Sequence, residues 1–135
     1  MANDIAPTGY PDWLKLRPGV HPSQYGLYYS RMDVCLAPLV SNVFNNCKSD
    51  IKVKEAGAYS LPVIASNFGP YAKHESAGVY TAYGHKEWKA LLYQAYEGRL
   101  DGRPNARYLE QHGDLSRVNL DRIEVFTEVL TGRGK

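Results

Sequence analysis

Apolar positions fall along this chain in three patterns, and each predicts a different element. Continuous short apolar runs occur at Asp33–Pro38 ("DVCLAP") and Pro62–Ser66 ("PVIAS"). Unbroken runs of this length suit strands of a parallel sheet covered on both faces. A third run, "VYTAY" at 79–83, predicts a further short strand at a sheet edge. Helical spacing appears in "SQYGLYYSR" (23–31) with Ser23 as N-cap, and in "DIKVKEAGAY" (50–59) with Ser49 as N-cap. Leu61-Pro62 closes the second of these. Trp88, Leu91, Leu92, Ala95 and Tyr96 trace one face of a helix over 85–100, which Asp101-Gly102 ends. Helices over 105–112 and 119–130 follow, the last with Leu120, Ile123, Phe126, Val129 and Leu130 on one face. Segments 39–47 and 67–78 read as loops. Residues 1–20 hold Pro7, Pro11, Pro18, Gly9 and Gly19 and read as an irregular arm, leaving 21–135 as one domain.

Strand, helix and strand over 33–66 make a βαβ unit, so the class is α/β with a small parallel sheet and C-terminal helices. The 135 residues are one domain's worth. Hydrophobic content of 44% and charged content of 22% are ordinary for a globular protein. No apolar run approaches the ~18–20 residues of a membrane span. The opening "MANDIAPTGYPDW" has neither a basic start nor an apolar core, so the expected compartment is the cytoplasm. A net charge of +2, spread along the chain, argues against nucleic acid as partner. Cys35 and Cys47 have no metal-ligand spacing, nor do His21, His74, His85 and His112. Neither a metal nor a cofactor is expected. The 11 tyrosines suit an amphipathic core edge, or a ring that stacks on a base.

In open α/β sheets ligands bind beyond the carboxyl ends of the strands. Two loops stand there, "LVSNVFNNCKS" and "NFGPYAKHE". The first feeds a helix N-terminus, where partial positive charge, the Lys48 ammonium and the Ser49 hydroxyl suit a phosphate. Glu55, one and a half turns in, projects toward the same cleft and suits a diol, or else pairs with Lys48, Lys52 or Lys54. His74 and Glu75 are the one neighbouring acid and base pair in the second loop that merits a test. No Walker, G-x-G-x-x-G or G-x-S-x-G pattern is present.

The ordered string "YYSRMDVCLAPLVSNVFNNCKSDIKVKEAGAYSLPVIASNFGPY" resembles the C-terminal nucleotide-binding lobe of GT-B fold glycosyltransferases of the group 1 type. Within it, "FNNCKSDIKVKE" is similar to a variant helix start of that family, and "EAGAYSLPVIAS" to its "E…a..G.PVIAS". The resemblance spans about residues 20–132 and is densest over 33–71. It implies a partial Rossmann-like, three-layer lobe that binds a sugar nucleotide, with hexosyl transfer as the activity. By that resemblance Glu55 takes the ribose hydroxyls. Lys48 and Ser49, with Asn46 beside them, lie by the diphosphate and sugar, and Gly69, Pro70 and Tyr71 form the glycine loop lining the cleft. Two positions depart from the pattern: Cys47 stands where the family has the first acid of its E-x7-E pair, and Ser60 where it has glycine. The family's lobe opens with further strand-helix units carrying phosphate-clamping Arg and Lys, and a second lobe binds the acceptor. The chain is therefore expected to be incomplete or inactive alone, completed by a second chain or paired as a homodimer. The rival expectation is a non-catalytic interaction module that self-associates through an exposed sheet edge.

Overall fold

The computed structural model describes residues 17, 19–72, 74–113 and 115–131. Most of the expected arm, residues 1–16 and 18, lies outside them. The chain divides into two compact units, residues 1–31 and 32–135.

In the first unit a 3₁₀ turn, Pro22–Gln24, leads into a single helical turn, α1 (Gly26–Tyr29). Ser23 does not cap a long helix as expected. Its hydroxyl meets His21 Nδ1 at 2.8 Å, inside the 3₁₀ turn. Tyr25 crosses Tyr28 edge-on at 6.5 Å between ring centres. Tyr29 is the buried member of this cluster.

The second unit is α/β. Its sheet has three parallel strands in the order β1 (Cys35–Ala37), β2 (Val63–Ser66), β3 (Val79–Ala82), with β2 in the middle. The register pairs Cys35 with Val63 and Val63 with Val79. β2 is the core: Val63, Ile64 and Ala65 are fully buried, as an unbroken apolar run on a central strand requires. β1 alternates instead, because Leu36 turns out to the surface, 48% exposed. β3 is parallel and marginal, as expected of an edge.

Around the sheet lie α2 (Val43–Asn46), α3 (Ile51–Gly57), α4 (His85–Tyr96), α5 (Arg103–His112) and α6 (Leu115–Leu130). α3 packs on β1 and α5, and α4 packs on β3 and β2. None of these helices is long and apolar enough to cross a membrane.

Helix ends differ from the expected ones for identifiable reasons. α3 stops because Ser60 adopts a left-handed backbone (φ 54°). Leu61 N–H then reaches back to Ala56 O and Ser60 N–H to Gly57 O, both at 3.0 Å, which is a Schellman ending. Pro62 follows that stop and does not make it. α4 ends four residues before Leu100 by the same device, with Gly98 at φ 66° and Arg99 N–H on Gln94 O at 2.9 Å. α5 starts before Asn105, because Pro104 is tolerated in a first turn and Asp101 Oδ1 accepts from Arg103 N–H at 2.9 Å. α2 stands where a loop was expected. The Asn42 carboxamide caps it, accepting from Asn45 N–H at 2.8 Å.

One buried polar side chain ties the layers together. Asn105 is fully buried and donates to Val53 O (3.0 Å) in α3 and to Leu61 O (3.3 Å) before β2. Its own carbonyl accepts from Ser76 Oγ at 3.4 Å. Gly78 leaves room for it: a Cβ there would stand 2.7 Å from Asn105 Cβ. Gly102 does the same for the α3–β2 turn, where a Cβ would lie 2.0 Å from Ser60 O.

Candidate functional site

A cleft of about 390 Å³ opens beyond the carboxyl end of β1. Its floor is Leu36 to Leu39, leaving the strand, and its wall is Lys48, Ser49, Ile51 and Lys52 at the start of α3, with Tyr71 closing one side. The position follows from the topology, since parallel strands send their loops to one end of the sheet.

Short-range bonds shape the rim. Leu39 N–H donates to Ser66 Oγ at 2.8 Å, joining the loop after β1 to the end of β2. Asn45 Nδ2 donates to Val40 O at 2.7 Å, folding that loop onto α2. Gly69 then brings the second loop against α2. It has φ 58°, and a Cβ on it would come within 2.9 Å of Asn45 O. Only glycine satisfies both demands. Pro70 continues the 3₁₀ turn Gly69–Tyr71, which buries the Tyr71 ring to 4% exposure at the cleft edge.

Of the residues expected at the site, Lys48, Ser49 and Tyr71 line the cleft. Lys48 Nζ stands 5.2 Å over the Phe44 ring, so part of its direction is set by a cation–π contact. Ser49 is not the helix cap; Asp50 occupies that position and its side chain makes no capping bond. Burial pushes the Tyr71 hydroxyl up from its ordinary range, with the Cys35 thiol and nearby carboxylates adding to it against Lys52. Glu55 is outside the lining. Its carboxylate holds Lys52 Nζ, one of the three lysines considered, at 2.8 Å. Asn46 is exposed at the end of α2, and Gly69 and Pro70 shape the rim from beneath.

His74 and Glu75 differ in burial. Glu75 is exposed, while the His74 side chain is only 4% exposed. His74 Nδ1 accepts from Ser76 N–H at 3.1 Å, which leaves the ring proton on Nε2, facing Asp50 Oδ2 at 3.4 Å. The ring stands edge-on to Tyr108 of α5 at 4.9 Å. His74 thus staples the β2–β3 connection to the start of α3. Asp50 also holds Lys54 Nζ at 2.9 Å. Burial alone would raise the Asp50 carboxyl, but Lys54 and then His74 outweigh it and hold it below the usual carboxylate range.

Sequence reasoning missed Lys52 as a cleft residue. Its signal was present: it lies in the first turn of the helix that follows the loop after the first strand, where side chains lean back toward the helix start. Cys47, exposed at the end of α2, and the buried Cys35 are both free thiols. Burial raises Cys35, with Lys52 opposing and Glu55 adding to the shift. Among the described residues no cluster of His, Cys, Asp or Glu could hold a metal ion. Among the described residues the cleft lining carries two ammonium groups, two hydroxyls and apolar side chains, and no carboxylate or imidazole. It can hold an anion against an apolar floor.

No protein-family model matches this chain, and no curated protein or solved structure matches it.

Proposed function

We propose that the second unit is the donor-binding part of a GT-B-like glycosyltransferase and that its cleft takes the diphosphate of a sugar nucleotide. The observation that carries this reading is the convergence of Lys48, Ser49 and Lys52 on one cleft beyond a parallel strand. Two ammonium groups and a hydroxyl suit a diphosphate, and the apolar floor from Leu36 to Leu39 suits the less polar parts of the ligand. Glu55 reaches this ligand through Lys52. Ion pairs that are part-exposed contribute only about 0–1 kcal/mol, so a ribose diol or a phosphate can exchange into the Lys52–Glu55 pair without a large penalty. Ordered resemblance over residues 33–71 to the GT-B lobe supports the same reading.

The reading is binding, and transfer follows only with residues from elsewhere. Among the described residues the cleft lining holds no carboxylate or imidazole to act as a general base, which fits a binding part whose catalytic groups come from a second lobe or chain.

Isothermal titration of the full chain with UDP-, GDP- and ADP-sugars tests this. At least one binds, and Lys48→Ala with Lys52→Ala weakens it by tenfold or more. Equal heats for the variant and the unaltered protein, or no binding of any sugar nucleotide, would contradict it.

A further inference from the structure

One polar group at the cleft is held firmly and bonds nothing in the chain. Tyr71 lines the cleft and is only 4% exposed. Its backbone is fixed on both sides: Tyr71 N–H donates to Phe68 O, and Tyr71 O accepts from His74 N–H, each at 3.3 Å. Gly69 packs the same 3₁₀ turn so closely on α2 that a Cβ would meet Asn45 O at 2.9 Å. The ring is therefore placed before any ligand arrives, and little side-chain entropy is left to lose on binding.

The hydroxyl is unattached. Among the described residues it makes no hydrogen bond. None of their fully buried side-chain oxygens lacks a partner, so this oxygen is not sealed in the core. It reaches solvent, and the opening beside the ring is the cleft. Burial, then the Cys35 thiol and the Asp50 and Glu55 carboxylates, outweigh Lys52 and raise the hydroxyl above its ordinary range. The group is thus a neutral O–H, a donor and not a phenolate. A phenylalanine would pack the same ring without the cost of half-burying an oxygen that adds no bond to the fold. What remains for the oxygen is whatever enters the cleft.

The other polar side chains of the lining are Lys48, Ser49 and Lys52. Ammonium groups only donate, and Tyr71 adds a donor that carries no charge. Among the described residues the lining has no carboxylate to compete for that proton. A set of donors of this kind is complementary to an oxyanion rich in acceptors.

We propose that the Tyr71 hydroxyl donates a hydrogen bond to an oxygen of a diphosphate held in this cleft. This rests on the anion-binding reading of the cleft given above. The lysines attract the anion over a distance, and Tyr71 acts only on an oxygen that comes within hydrogen-bond reach.

The test is isothermal titration of the full chain with inorganic pyrophosphate and with UDP-, GDP- and ADP-sugars, for the unaltered protein, Tyr71→Phe and Lys48→Ala. Phenylalanine keeps the ring and removes only the oxygen. Tyr71→Phe weakens pyrophosphate by about tenfold, as loss of one hydrogen bond to a charged group does, and weakens any sugar nucleotide that binds by a similar factor. The factor is the same at low and high salt because the donor is uncharged, whereas the factor for Lys48→Ala shrinks. The denaturation midpoint of Tyr71→Phe is equal to that of the unaltered protein or higher. Unchanged affinity of Tyr71→Phe for every probe that binds overturns the proposal and leaves the donor reading standing. A lowered midpoint makes the hydroxyl a structural group and overturns it as well, as does a Tyr71→Phe factor that shrinks with salt in step with that of Lys48→Ala. Pyrophosphate binding that depends on Tyr71, with no sugar nucleotide bound, supports the proposal and overturns the donor reading instead. An unaltered protein that binds none of these probes overturns both.

Discussion

At the scale of single residues, two positions outside the cleft bear on stability in opposite directions. Asn105 donates to Val53 O and Leu61 O from a fully buried position. Asn105→Ala removes both bonds and leaves the buried Leu61 O without its donor, and a buried group left without a partner costs about 1–3 kcal/mol. Chemical denaturation should therefore show a loss of at least about 2 kcal/mol; a loss within error of zero would mean that these bonds are not holding α5 to α3. Ser60 is the opposite case. Its left-handed backbone is disfavoured for any residue with a Cβ by roughly 1 kcal/mol, so Ser60→Gly raises the midpoint of the same denaturation curve. Neither role is legible from residue type. Asn105 reads as a helix-start polar residue, and only the approach of Gly78 and the α3–β2 turn makes it a buried hub. Ser60 reads as an ordinary polar residue before Leu61-Pro62, and only the backbone shows its left-handed turn.

Elements were legible where a local rule acts alone. Both apolar runs became adjacent parallel strands, and "VYTAY" became the edge strand. Helix ends were less legible, because left-handed stops at Ser60 and Gly98 cut α3 and α4 before the residues that propensity would include. The predicted inward face of α4 also divides: Leu91 and Ala95 are half-buried while Leu92 and Tyr96 point out, since a three-stranded sheet covers only part of so wide an apolar face. The connection from β2 to β3 depends on the His74–Asp50 staple. The folded-state carboxyl of Asp50 lies below its unfolded value, so the stability it contributes is present above about pH 4 and is lost as pH falls further. Asp101, lowered by Arg103, acts in the same window. Thermal melts of the unaltered protein and Asp50→Asn between pH 6 and pH 2 should converge toward the acid end. A constant gap across that range would remove Asp50 from the pH response.

For the whole molecule, the site was partly legible. Lys48, Ser49 and Tyr71 were expected at the cleft and line it, because topology alone sends their loops to one end of the sheet. Glu55 was placed by helix phase in the same cleft, and its pairing with Lys52 turns it toward the lysine instead. The cleft also predicts a salt effect: two ammonium groups on a solvent-open diphosphate are screened strongly, with a Debye length of about 10 Å at 0.1 M and about 3 Å at 1 M. Affinity for a sugar nucleotide should fall steadily between those concentrations. A salt-independent affinity would place the ligand on the apolar surfaces and not between the lysines.

The most direct measurement of the central claim is a residue-resolved amide titration of the full chain with UDP-, GDP- and ADP-sugars. The account predicts saturable shifts confined to about residues 36–39, 45–56 and 69–71, around the cleft lined by Lys48, Ser49, Lys52 and Tyr71. Amide signals there that stay fixed while every sugar nucleotide is added would contradict it.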